Sequence, residues 1–122
     1  MNEKPKILYV DDEIVNLQLF QLIFSNKYEV FTAENGLKGL ELLDNNHNVS
    51  IVISDMKMPF MNGIEFIQKS KAKYQKISYF ILTGYEITNE IQEALNLGLI
   101  VKYFRKPFNK SEIDSEIELA LK

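Results

Sequence analysis

The sequence predicts an α/β fold: five strand–helix units wound into one parallel sheet with helices on both faces. Three observations predict it. Short apolar, β-rich runs alternate five times with stretches that carry apolar residues at helical spacing. The strand runs are apolar throughout rather than alternating, as expected where helices cover both faces of a sheet. The chain has 122 residues, of which 46% are hydrophobic, which suits one domain spanning 1–122 with a real core.

Taken in order, residues 6–10 (KILYV) form the first strand and 14–25 the first helix. The second strand is 28–33 (YEVFTA), β-branched and aromatic. The second helix is 36–45, with leucines on one side. Residues 50–54 make the third strand, and 63–73 a helix with Ile64 and Ile67 on one face. The fourth strand is 77–82 (ISYFIL). A helix over 88–97 follows, closed by Gly98 as a C-terminal cap. The fifth strand is 101–105. The last helix is 110–121, with Ser111 as its N-cap. The units share no internal repeat, and strand–helix alternation in a compact sheet is distinct from a solenoid.

Composition excludes several functions. The formal net charge is −3, which disfavours a broad nucleic-acid-binding face. There are no cysteines, so disulfides and thiolate metal sites are impossible. No apolar run reaches membrane-spanning length, and the first residues lack a signal-peptide core, so a cytoplasmic location is expected.

In open α/β sheets, ligands bind beyond the carboxyl ends of the strands. Four strands here end in polar residues: the first in Asp11-Asp12-Glu13, the third in Asp55, the fourth in Thr83, the fifth in Lys106-Pro107. Singly each has an ordinary explanation, such as a helix N-terminus for the acids, a turn for Asp55 or a strand ending for the lysine. Four at one edge form a constellation. If the first and third strands are neighbours, two carboxylates about 5 Å apart repel by roughly 3 kcal/mol at an effective dielectric near 20. Lys106 offsets one charge, and a divalent cation would offset the rest. Oxygen-only ligands favour Mg2+, with Mn2+ as an alternative, over zinc. A nucleophilic aspartate beside such a cation, a lysine and a threonine hydroxyl suits phosphoryl acceptance.

At these residues the chain resembles the response-regulator receiver domain of two-component signalling. The resemblance rests on Asp11-Asp12, on Asp55 followed by Met58-Pro59 and Gly63, on Thr83-Gly84 and on Lys106-Pro107-Phe108, and covers nearly the whole chain. It implies a flavodoxin-like (βα)5 sandwich of strand order 2-1-3-4-5, a known example of that order. It implies that Asp55 accepts a phosphoryl group from a histidine kinase or histidine phosphotransfer protein, and that the domain is a switch whose own chemistry is limited to phosphotransfer and slow autodephosphorylation. Asp11, Asp12, Asp55 and the Lys57 carbonyl would hold the metal. Lys106 would pair with the phosphoryl group, and Thr83 and Tyr103 would form the switch. Lys57 and Tyr85 stand where the family tunes acyl-phosphate lifetime. The Lys106-Pro107 bond is a candidate cis peptide. In two places the chain departs from the family pattern. Gly98 and Lys106 lie eight residues apart, one more than is commonest, and Phe60 stands where a small or polar residue is usual.

Three other readings compete. A haloacid-dehalogenase-like phosphatase would use Asp11 as nucleophile, with Glu13 as the second acid. A flavodoxin-like electron carrier would need a phosphate-cradling loop where this chain has acids. A non-phosphorylated interaction module leaves the acidic set unexplained. Residues 69–73 read as a solvated helix face, Met56, Met58 and Met61 as loop packing, and His47 as a solvated loop residue. The first helix is apolar nearly all round, which implies exposed apolar surface among Leu19, Phe20, Leu22 and Ile23 and a docking patch for the phospho-donor.

Overall fold

The computed structural model describes residues 3–46, 48–84 and 86–122. The elements are β1 (Lys6–Val10), α1 (Ile14–Phe24), β2 (Glu29–Ala33), α2 (Gly36–Asn45), β3 (Val49–Asp55), α3 (Gly63–Lys73), β4 (Ser78–Thr83), α4 (Asn89–Asn96), β5 (Lys102–Arg105) and α5 (Lys110–Leu121). All strand pairs are parallel, in the order β2-β1-β3-β4-β5. The fold is the flavodoxin-like sandwich the sequence implies.

Strand parity divides the core. Ile7 and Tyr9 of β1, Ile51 and Ile53 of β3 and Phe104 of β5 pack with α1 and α5 on one face. Leu8, Val10, Val52 and Ile81 pack with residues of α2, α3 and α4 on the other. Successive strand residues point to opposite faces, so continuous apolar runs serve both layers.

Several boundaries differ from expectation. Tyr28 lies outside β2, because its N–H donates to the Phe24 carbonyl at 3.0 Å and extends the turn that ends α1. β3 and β4 extend one residue further, so Asp55 and Thr83 are the last strand residues rather than the first loop residues. Asn109, not Ser111, caps α5: its Oδ1 accepts the Glu112 N–H at 2.9 Å, while Ser111 lies inside the helix. Gly98 has φ 73°, the left-handed conformation a glycine C-cap supplies. Residues 69–73 are not uniformly solvated, since Ser70 is buried and shares a 2.7 Å hydrogen bond with the Tyr79 hydroxyl. Met56 and Met58 are buried in the loop after β3, and Met61 is partly buried against the core cluster they belong to. His47 and Tyr85 lie outside the described residues.

α1 presents two apolar stripes. Leu17, Phe20 and Phe24 face the core. Phe20 is 0% exposed and stacks on Tyr9 with ring centroids 4.3 Å apart, so it is not docking surface. Burying such a ring contributes about 2–3 kcal/mol. Ile23 packs against the same cluster. The outer stripe is Val15, Leu19 and Leu22, with Ile14 beside it, all exposed. Sequence reading identified Leu19 and Leu22 and missed Ile14 and Val15.

Candidate functional site

The site forms at the carboxyl edge of β1, β3, β4 and β5. Val10 of β1 is in register with Ser54 of β3, so the next residues, Asp11 and Asp55, come opposite each other. The Asp11 N–H still donates to Ala33 of β2 at 3.1 Å, which holds it to the sheet edge. Asp11 is 0% and Asp55 4% exposed, while Asp12 faces solvent. One carboxylate oxygen from each of the three acids lies within 4.8 Å of the others.

The loop after β3 is built to hold Asp55. The Gly63 N–H donates to the Met56 carbonyl at 2.8 Å, which folds the loop back on the strand end. A Cβ on Gly63 would stand 2.3 Å from the Asp55 carbonyl oxygen, so no side chain fits there. Asn62 and Glu65 form a reciprocal capping box at the start of α3. Phe60, between these fixed points, has φ 70° and a fully exposed ring. Lys57 is exposed at the surface of the same loop.

Lys106 closes the site. Its N–H donates to the Thr83 carbonyl at 2.9 Å, and the Lys106-Pro107 peptide is cis. Its Nζ donates to Asp11 Oδ2 at 3.0 Å and stands 3.5 Å from Asp55 Oδ1, an ion-pair distance. Thr83 is buried at the end of β4. Ile81 is in register with Tyr103 and Thr83 with Arg105, so Thr83 and Tyr103 lie on one face of neighbouring strands. Tyr103 is half-buried against the α4 side of the core.

The two buried acids differ in their partners. Asp11 Oδ2 accepts from the Tyr9 hydroxyl at 2.5 Å and from Asn16 Nδ2 at 3.1 Å, as well as from Lys106. Its Oδ1 accepts the Glu13 N–H at 3.0 Å. Burial pushes the Asp11 carboxyl up, but the Tyr9, Glu13 and Lys106 donors together hold it below its ordinary value. Asp55 Oδ1 is buried and accepts no hydrogen bond among the described residues. Burial first, then the Asp11 charge, push the Asp55 carboxyl up to about 6, against the opposing pull of Lys106. Burial pulls the Lys106 ammonium down, but its bond to Asp11 and the charges of both acids leave it above its ordinary value.

A buried carboxylate oxygen with no hydrogen bond, paired only with Lys106 at 3.5 Å and lying among three acids, with oxygen the only donor type, fits a hard divalent cation of the Mg2+ class. Of the residues expected from sequence, Asp11, Asp12, Asp55, Lys106 and Thr83 come together at this edge. Tyr103 lies on the Thr83 side of the sheet, away from the acids. Tyr9 and Asn16 were not anticipated. For Tyr9 the available signal was parity, because a residue two before Asp11 in a strand shares its face.

The profile of the family described as "Response regulator receiver domain" matches residues 7–118. Sporulation initiation phosphotransferase F of Bacillus subtilis is 35% identical over 97% of this chain and 93% of its own length. A response regulator receiver domain protein from Clostridium thermocellum superposes with a TM-score of 0.89 at 30% identity, covering 95% of this chain and 93% of that one. The response regulator protein TrrA from Thermotoga maritima, solved in complex with Mg2+ and BeF, superposes with a TM-score of 0.81 at 28% identity, covering 95% of this chain and 98% of that one.

Proposed function

The chain belongs to the response regulator receiver domains, and from that premise we propose that it is a phosphorelay switch in which Asp55 accepts the phosphoryl group of a phosphohistidine donor. The observation that supports the assignment is the buried Asp55 oxygen left without a hydrogen bond in a cluster of three acids. In the transfer, an Asp55 carboxylate oxygen bonds to phosphorus as the phosphorus–nitrogen bond breaks, and the electron pair leaves with the donor imidazole.

Asp11, Asp12, Asp55 and the Lys57 carbonyl would hold Mg2+, with Mn2+ as a substitute. The bound cation supplies charge neutralisation for phosphoryl oxygens that three acids would otherwise repel. The Lys106 ammonium, already between Asp11 and Asp55, supplies the matching charge from the protein. The Thr83 hydroxyl donates to a phosphoryl oxygen. Its movement toward the site frees room on the face it shares with Tyr103, whose ring then turns inward and remodels the β4-α4-β5 surface. Lys57 and Tyr85 shield the phosphorus from in-line water and lengthen the lifetime of the acyl phosphate.

The donor docks on α1 through Val15, Leu19 and Leu22, an exposed stripe at helical spacing. Among the described residues, no helix is long and apolar enough to cross a membrane. The reading places the domain in the cytoplasm with its kinase partner.

Incubation with acetyl phosphate, with and without Mg2+, tests the reading. Wild-type protein takes up one phosphoryl group only with the metal, and Asp55→Asn takes up none. Uptake by Asp55→Asn at the wild-type level, or uptake in excess chelator, refutes it.

A further inference from the structure

The Tyr9 hydroxyl is buried in a cluster where phenylalanine would serve packing equally well. Its neighbours are Phe20, stacked at 4.3 Å, and Phe108, edge-on at 5.8 Å. A buried hydroxyl costs stability unless it is hydrogen-bonded. Here it donates to Asp11 Oδ2 at 2.5 Å. Asn16, half-buried in the first turn of α1, donates to the same oxygen at 3.1 Å and to Glu13 Oε1 at 3.1 Å. The Tyr9 donor therefore comes from a rigid strand and the Asn16 donor from a helix. Together with the Glu13 N–H on Oδ1, they fix both oxygens of Asp11 and so the plane of its carboxylate.

We propose that Tyr9 and Asn16 are positioning residues that hold Asp11 in the orientation required to bind the divalent cation. The proposal rests on the metal-dependent reading above. Without the two donors, Asp11 Oδ2 retains only Lys106, a flexible cation that also lies 3.5 Å from Asp55. The Glu13 N–H still holds Oδ1, but Oδ2 then follows the lysine and the carboxylate plane is no longer fixed, so the ion must both displace the ammonium and reorient its ligand. Partners that orient a metal ligand in this way typically change metal affinity by about 10- to 100-fold when removed.

The test is calorimetric titration of Mg2+ into wild type, Tyr9→Phe, Asn16→Ala and Tyr79→Phe. Tyr79 is a matched control. It too is buried, but its hydroxyl bonds Ser70 and the Tyr74 carbonyl and touches none of the acids. Unfolding midpoints in chelator establish that each variant is folded before titration. The expected result is about tenfold weaker Mg2+ binding in both Tyr9→Phe and Asn16→Ala, with Tyr79→Phe unchanged. Acetyl phosphate labelling at saturating Mg2+ should return both variants to near the wild-type rate, which separates lost affinity from lost chemistry. Affinity within twofold of wild type in either variant overturns the role of that residue. If Tyr9→Phe does not fold, Asn16→Ala decides the proposal alone, since it removes a donor to the same oxygen from a half-buried position. Wild-type protein that binds no Mg2+ would instead defeat the metal-dependent reading itself.

Discussion

The ends of β1 and β3 carry the same residue type at nearly the same depth, and the two carboxylates are pushed in opposite directions. Asp11 receives four donors and is held below its ordinary pKa. Asp55, one strand away, has an oxygen with no hydrogen bond and is raised to about 6. Depth alone would raise both. The difference lies in neighbouring residues: Tyr9, Glu13 and Asn16 donate to one acid, whereas no side chain donates a hydrogen bond to Oδ1 of the other among the described residues. A site for phosphoryl acceptance gains from this asymmetry. One acid is committed to charge and orientation, and the other keeps an oxygen available for new bonds.

The largest effect expected from breaking the comparison is on phosphoryl uptake. Asp12→Ala removes an exposed acid from the metal set while sparing both buried acids, and it should weaken Mg2+ binding and slow labelling together by about 10- to 100-fold. Unchanged labelling at limiting Mg2+ would show that the two buried acids suffice.

Next is Lys106, the only side chain described as bonded or ion-paired to both buried acids. Lys106→Met strips Asp55 of its cation and leaves Asp11 its other three donors. Loss of one partner from a buried pair costs about 3 kcal/mol. Urea denaturation at pH 8 without metal should show a loss of that order, and equal midpoints would mean the lysine contributes no stability there.

Asp55→Asn acts in the opposite sense on the metal-free fold. The folded-state value of about 6 lies above the unfolded value of about 3.9, so the folded protein holds this proton more tightly. The cost of the carboxylate is therefore absent below pH about 4, grows as pH rises and is fully present above about 6. Asp55→Asn should stabilise the protein by about 1–3 kcal/mol at pH 8 and by almost nothing at pH 4. Denaturation at the two pH values checks both the size and the sign, and saturating Mg2+ should abolish the advantage.

The smallest effect belongs to Phe60. A left-handed non-glycine residue costs about 1–2 kcal/mol, part of which glycine returns as chain entropy. Its ring is fully exposed, so no packing is lost on substitution. Phe60→Gly should stabilise the fold by about 0.5 kcal/mol, read as a small rise in thermal midpoint.

The sequence made the layer plan legible because strands covered on both faces are apolar without interruption, and Ile51-Val52-Ile53 can be little else. The acids were legible because charge directly after such a run has few structural uses. The α5 cap was misread although its signal was present: Asn109 precedes Glu112 by three, the same spacing as Asn62 and Glu65 at α3. Phe20 was misplaced for a different reason. A helix apolar on every side does not declare which stripe turns inward, and only packing against Tyr9 selected Leu17, Phe20 and Phe24. Tyr9 escaped notice because an aromatic in a strand reads as core, and its hydroxyl acquires meaning only once Asp11 is seen on the same face.

The strand order also decides where the sheet stops. β2 and β5 lie at its margins, each with one side free of strand partners. Such margins invite a second chain to add itself as a further strand. β5 is only four residues long, and two of them, Lys102 and Arg105, are charged. Lys102 is drawn toward α5 by Glu116 at 3.1 Å. β2 is five residues long and begins with an exposed glutamate, Glu29. Short strands and charged residues at both margins are features that disfavour the addition of a further strand from a second chain.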